Sequence, residues 1–91
     1  MKYIFVDESW EDYLYWQKVD PKNIKRINEL IKSCMRTPFE GIGKPEALKG
    51  DIQGYWSRRI TSEHRLVYKV TGTKGVDQRC IILQCRFHYD D

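Results

Sequence analysis

The sequence predicts an α+β fold: an N-terminal strand and two antiparallel helices packed on a mainly antiparallel, twisted β-sheet. Three observations lead there. A β-branched and aromatic run opens the chain, two helical segments follow with a break at Asp20-Pro21, and three later strand-like runs are separated by polar or glycine-rich turns.

Lys2-Tyr3-Ile4-Phe5-Val6 reads as the first strand. Asp7 is placed to cap the helix after it, with Glu8, Glu11 and Asp12 near its positive end. Trp10, Tyr13, Leu14 and Gln17 recur at helical spacing and are expected to form the buried face, an aromatic stripe read as core rather than as a base-stacking platform. Asp20-Pro21 starts a second helix, with Asp as cap and Pro in the first turn. Its buried face is Ile24, Ile27, Leu30, Ile31 and Cys34, its wet face Lys22, Lys25, Arg26 and Lys32, and Thr37-Pro38 stops it. The short link between the helices argues for an antiparallel pair. Residues 37–55, holding Pro38, Gly41, Gly43, Pro45, Gly50 and Gly54, read as a long irregular stretch, a length that is usually functional or mobile. Residues 56–60 and 64–70 are strands joined by Thr61-Ser62-Glu63. A loop centred on residues 71–75 then leads to residues 80–87, the most apolar strand and the one expected to lie centrally.

Ninety-one residues suit a single domain over 1–91. Three Trp, six Tyr and three Phe supply enough apolar surface to argue against disorder. No apolar run is long enough to span a bilayer and no leader pattern opens the chain, so no membrane partner and a cytoplasmic location are expected. The three cysteines, Cys34, Cys80 and Cys85, are expected as buried thiols. Cys80 and Cys85 on one extended strand would lie roughly 16 Å apart on opposite faces, against the roughly 7 Å a disulfide tolerates.

The net charge of +3 is unevenly spread. Residues 1–20 hold two basic and five acidic side chains, whereas residues 21–89 hold fourteen basic and six acidic ones. A polyanionic partner and a merely solvated basic surface both fit that asymmetry. His64 and His88 are far apart, and no H-x-x-x-H, C-x-x-C or clustered Asp pattern appears, so neither metal nor cofactor is expected. No phosphate-binding glycine loop follows a strand, and no Ser or Cys sits in a nucleophile motif. What remains is a group of charges suited to a phosphodiester: Lys44, Lys49, Arg58, Arg59 and Arg65, with Tyr55 and Trp56 among them. Alternation places Leu66, Tyr68 and Val70 on one face and Arg65 with Val67 on the other. On the last strand it groups Ile82, Gln84, Arg86 and His88 against Ile81, Leu83, Cys85 and Phe87. Each charged group also has a plainer reading. Glu46 could be a loop carboxylate paired with Lys44 or Lys49, Arg65 a salt-bridge partner of Glu63 or Asp51, and His88 an exposed imidazole.

Longer stretches carry a resemblance. They are ESWEDYLYW from Glu8, KRINELI from Lys25, RTPFEGIGKPE from Arg36, GYWSRRITSEHRLVY from Gly54, and CRFHY from Cys85. Together they span nearly the whole chain, and it resembles the YoeB toxin family within the wider RelE-like superfamily. The resemblance implies a RelE-like, microbial-ribonuclease-like α+β fold. It also implies a ribosome-dependent endoribonuclease that cuts mRNA without metal and is neutralised by a YefM-like antitoxin. Operator DNA would be contacted only through the antitoxin complex, and oligomeric state stays open, a homodimer among the options. Carried over residue by residue, the family roles make Glu46 the general base, Arg65 the transition-state stabiliser and His88 the general acid, with Lys49, Arg59 and Tyr89 binding or supporting substrate.

The chemistry suits those residue types. RNA carries its own nucleophile, the ribose 2′-hydroxyl, so the enzyme must supply a base, an acid for the leaving 5′-oxygen, and positive charge for the phosphorane-like transition state. Inhibition by occupying the ribosome without essential cleavage is the competing reading. The chain departs from the family pattern after the His-Tyr pair, continuing with Asp90-Asp91, whose charge would favour protonated His88 while repelling RNA. His64 is expected to be structural, closing the turn at the start of the strand over residues 64–70.

Overall fold

The computed structural model describes residues 1–87. Its elements in order are β1 (Lys2–Phe5), α1 (Asp7–Val19), α2 (Pro21–Arg36), β2 (Glu46–Ala47), a 3-10 turn (Gly50–Ile52), β3 (Trp56–Arg59), β4 (Arg65–Thr71) and β5 (Arg79–Gln84). The five strands form one sheet in the order β1-β5-β4-β3-β2. β1 runs parallel to β5, and the other three pairings are antiparallel. The expected α+β architecture is present, with β4 in the middle and β5 beside it.

The two helices differ in how well local signals describe them. α2 follows its pattern: Asp20 accepts the Lys22 N–H at 3.2 Å, Pro21 lies in the first turn, and Ile27, Leu30, Ile31 and Cys34 are buried. Tyr13 Oη donates to Asn28 Oδ1 at 2.7 Å, from nearly the same distance before Asp20 as Asn28 stands after it, as an antiparallel hairpin requires. α1 departs from its pattern. Asp7 is its first helical residue rather than its cap, and its buried residues are Ser9, Asp12 and Trp16, while Trp10 and Leu14 are exposed. The reason is polar rather than apolar. Ser9 Oγ donates to the Ile82 carbonyl at 2.7 Å, Asp12 Oδ2 accepts the Cys85 N–H at 3.1 Å, and Trp16 Nε1 donates to the Cys85 carbonyl at 2.8 Å. This face satisfies the main chain around the end of β5, which would otherwise be buried without partners. Burial pushes the Asp12 carboxyl up, against the opposing pull of the Cys85 N–H. Trp10 instead stacks on Tyr13 at 5.9 Å, and Phe5 meets both rings edge-on.

The core lies between the helices and one face of the sheet. Trp16, Ile27, Leu30, Ile31 and Cys34 meet Leu66, Tyr68, Cys80, Ile82 and Cys85 there. A fully buried Leu or Ile in such a place contributes roughly 1.5–3 kcal/mol. Cys34 and Cys80 bring their sulfurs to 3.6 Å, and all three cysteines are free thiols. The hydrogen bond to Cys34, with burial, pushes the Cys80 thiol up.

A bulge in β5 overturns strict alternation. Tyr68 pairs with Ile82 but Val67 pairs with Gln84, so Leu83 is an extra residue without a partner on β4. Past that point the faces exchange. Cys80, Ile82 and Cys85 all point into the core, although Cys80 and Cys85 were expected on opposite faces, and Gln84 leaves the face of Ile82 for that of Val67. Arg86 does not join Gln84. Its guanidinium lies 3.5 Å over the Tyr15 ring of α1 and 4.5 Å from that of Phe87.

Candidate active site

The irregular stretch between α2 and β3 is more ordered than its composition suggests. Glu46 and Ala47 form β2, pairing with Ser57 and Trp56. This strand gives Glu46 a defined face. Directly paired residues project to the same side of a sheet, and the pairs run Glu46 to Ser57, Ser57 to Val67, and Val67 to Gln84. One step along, Arg59 pairs with Arg65. Glu46, Ser57, Arg59, Arg65, Val67 and Gln84 therefore share the face that turns away from the helices.

Arg65 is half-buried. Its Nη1 donates to the carbonyls of Thr61 at 2.8 Å, His64 at 3.2 Å and Ser62 at 3.3 Å. Among the described residues its hydrogen bonds go to these carbonyls rather than to Glu63 or Asp51. Burial lowers its proton affinity, the Arg59 charge opposite lowers it further, and Glu46 acts in the other direction. Arg65 thus feels a second guanidinium and a carboxylate across three strands. Lys49 is exposed just beyond β2, at the start of the 3-10 turn. At the other end of this face Lys69 lies 5.3 Å over the Tyr55 ring.

Arg58, grouped with these cations by its place in sequence, is removed from them by the structure. It points to the helix side and is completely buried. Nε donates to Tyr68 Oη at 3.1 Å, Nη1 to Ser33 Oγ at 2.7 Å and the Ile42 carbonyl at 3.1 Å, and Nη2 to the carbonyls of Thr37 at 2.7 Å and Glu40 at 2.9 Å. A guanidinium has five N–H donors, and here all five are used. Arg58 fastens the loop after α2 to the sheet. Arg59 completes the attachment, its N–H donating to the Gly43 carbonyl at 2.7 Å just before the chain enters β2.

His88 and Tyr89, expected as acid and as substrate contact, lie outside the described residues, as do Asp90 and Asp91. The chain leading to them is held firmly. The Phe87 N–H donates to His64 Nδ1 at 2.8 Å, and the Phe87 carbonyl accepts the Arg65 N–H at 2.9 Å. Phe87 has φ +68°, a left-handed conformation that costs a non-glycine residue roughly 1–2 kcal/mol. Sequence reasoning overlooked Ser57 and the link from His64 to Phe87, and placed Gln84 on the face of Ile82 rather than that of Val67. Ser57 and Gln84 carry no local signal, since only the register across four strands puts Ser57 beside Glu46 and Gln84 at the far end of the same row. Among the described residues, no group of three or more His, Cys, Asp or Glu side chains is arranged to hold a metal ion, and no helix is long and apolar enough to cross a membrane.

Comparison with known proteins places this arrangement. The sequence profile of the YoeB-like toxins of bacterial type II toxin–antitoxin systems matches residues 5–89. The chain belongs to that family. It is 60% identical to the toxin YoeB of Escherichia coli strain K12 over 89 residues, covering 98% of this chain and all of the relative. A solved YoeB/ParE toxin from Agrobacterium tumefaciens superposes with a TM-score of 0.92 at 55% identity, covering 98% of this chain and 100% of that one. YoeB in a heterotetrameric YoeB–YefM toxin–antitoxin complex from Staphylococcus aureus superposes with a TM-score of 0.85 at 47% identity, with 98% of each chain covered. Of the residues singled out by the resemblance to YoeB toxins, Glu46, Arg59 and Arg65 stand on one face and Lys49 borders it.

Proposed function

We propose that this toxin is a ribosome-dependent, metal-independent mRNA endoribonuclease. The observation that carries the reading is the common face of Glu46 and Arg65, with Arg59 directly opposite Arg65. Glu46 takes the proton from the ribose 2′-hydroxyl, and the 2′-oxygen attacks phosphorus. The bond from phosphorus to the 5′-oxygen breaks as His88 gives its proton to that oxygen. The products are a 2′,3′-cyclic phosphate and a 5′-hydroxyl, and solvent returns a proton from Glu46 to His88. Arg65 meets the negative charge that gathers on the phosphoryl oxygens, which a guanidinium fork suits by charge and geometry. Arg59, Lys49 and Tyr89 hold the backbone of the message.

The half-buried Arg65, already bonded to main-chain carbonyls, is pre-oriented in a way that an exposed arginine is not. General acid–base catalysis contributes roughly 10²–10⁴-fold, so a large share of the rate is left to positioning. The ribosome supplies that share by presenting the mRNA, and free RNA is accordingly a poor substrate. The partner proposed for neutralisation is a YefM-like antitoxin, as in the Staphylococcus aureus complex. Its acidic or amphipathic segment would cover the basic face, and any contact with operator DNA would come through the antitoxin. Message and ribosome place the activity in the cytoplasm.

The test is translation of a defined mRNA on ribosomes, with 5′ ends mapped by primer extension, for the wild type and Glu46→Ala, Arg65→Ala and His88→Ala. Discrete cuts are expected, falling in each of the three variants to a slow residual rate that only long incubation reveals. Inhibition that persists in all three without cuts would replace this reading with occlusion of the ribosome.

A further inference from the structure

We propose that His64 is a positioning residue for the general acid, acting through its Nδ1 on the peptide N–H of Phe87, the residue before His88 in the chain. The inference rests on the reading of His88 given above. It starts from Phe87, one of two non-glycine residues with positive φ among those described. A bulky aromatic residue enters the left-handed region only where its surroundings impose it. Here both polar groups of the residue are held. Its N–H goes to His64 Nδ1 at 2.8 Å and its carbonyl receives the Arg65 N–H at 2.9 Å. The two residues of this clamp are consecutive, and the second is the arginine assigned to the transition state. The chain is thus turned immediately before His88 by groups that belong to the strand carrying Arg65.

His64 is itself held in place. Its main-chain N–H donates to Thr61 Oγ1 at 3.1 Å, and its carbonyl accepts the N–H groups of Ile60 and Thr61 at 2.9 and 3.3 Å. Its ring meets Trp16 edge-on, with centroids 4.8 Å apart and planes at 79°. The same Trp16 binds the Cys85 carbonyl through its indole N–H, so one side chain of α1 steadies the histidine and the segment it holds. A main-chain N–H can only donate, so Nδ1 must carry the lone pair. Closing the turn before β4 is done by the main chain of His64. The imidazole is therefore available for a separate task, and it performs that task on a residue 23 positions further along the chain.

Two amide substitutions separate positioning from bulk support. His64→Asn keeps an oxygen acceptor near the place of Nδ1, whereas His64→Gln moves its amide toward the place of Nε2. Single-turnover cleavage of ribosome-bound mRNA would be measured across toxin concentrations, with melting curves for each variant. His64→Gln is expected to slow cleavage at saturation roughly ten- to a hundredfold, leaving the half-saturating concentration within about twofold, because misplacement acts on the chemical step. His64→Asn should recover most of that rate. In a His88→Ala background, His64→Gln should cause no further loss, since a residue acting only through the acid has nothing left to position. Equal loss in Asn and Gln variants, or an undiminished His64→Gln effect without His88, overturns the positioning role. Cleavage unaffected by His88→Ala overturns the underlying reading instead, and the two failures are told apart by that one variant.

Discussion

Tyr68 stands between Arg58 and Pro38: its hydroxyl accepts from Arg58 Nε at 3.1 Å and donates to the Pro38 carbonyl at 2.7 Å. The phenol and the guanidinium are both fully buried, and together they tie the middle of the sheet to the loop that leaves α2. Glu46 follows on from that loop, so the place of the proposed base depends on a network that never touches substrate.

Removing Arg58 should therefore be costly. Arg58→Met would remove the five donors that reach two hydroxyls and three carbonyls, of which those of Thr37 and Glu40 each keep one other partner, a loss on the order of 3–5 kcal/mol. Arg58→Lys should recover little, because an ammonium has three donors and no planar fork. Denaturant unfolding of the two variants measures this, and a loss under about 1 kcal/mol in Arg58→Met would contradict the role.

Tyr68 leads to an expected pH dependence. Burial pushes its phenol up to about 12, against the hydrogen bond from Arg58. An acid whose folded value lies above its unfolded value, about 10 for Tyr, contributes stability that is fully present below the unfolded value. That stability is lost as pH rises through the folded value. The wild type should lose stability between about pH 10 and 12. Tyr68→Phe should start less stable and fall less steeply over that window in pH-dependent thermal melts. Cys85, likewise pushed up to about 12 by burial, keeps part of the slope in the variant.

Arg59 and Arg65 form a like-charged cross-strand pair. Such pairs oppose folding by roughly 0.2–1 kcal/mol, so Arg59→Ala should raise stability slightly. The same change should weaken RNA binding and reduce the steepness of its salt dependence by about one unit. Binding titrations at several salt concentrations, alongside thermal melts, test both halves. A variant that is less stable and binds RNA unchanged would remove Arg59 from the site.

Gly43 has φ +81°, and a Cβ there would lie 2.6 Å from Leu30 Cδ2 and 3.2 Å from Arg58 Cβ. Gly43→Ala combines backbone strain with overpacking and should cost about 1–3 kcal/mol. Because the Gly43 carbonyl receives the Arg59 N–H, the damage falls next to β2, and cleavage should decline with stability. Gly50→Ala, where a Cβ meets nothing within 4 Å, supplies a control with backbone strain alone.

Some features were legible because their causes are local. The Asp20-Pro21 start of α2 and its stripe of Ile27, Leu30, Ile31 and Cys34 depend on residues within a few positions of each other, and the structure repeats them. So does the alternation that separates Arg65 from Leu66 on β4. Residues 8–16 misled, because a helical stripe of aromatics usually marks the buried face. In α1 the buried face is chosen instead by the main-chain groups of Ile82 and Cys85, more than seventy residues away.

The tertiary structure decided what depends on register. β2 is two residues long and exists because β3 is there to pair with it, so no periodicity could place Glu46 beside Arg59 and Arg65. The bulge at Leu83 reverses the faces of β5, a choice made by pairing with β4 and invisible in the apolar run itself. Sequence by itself determined the kinds of charged group this protein carries, the order of its main elements and, through its motifs, its family. Which of those groups meet was left to long-range hydrogen bonding. Strand pairing spends chain entropy on contacts distant in sequence, and a local pattern records only the residues that enter the sheet, not the partners they find.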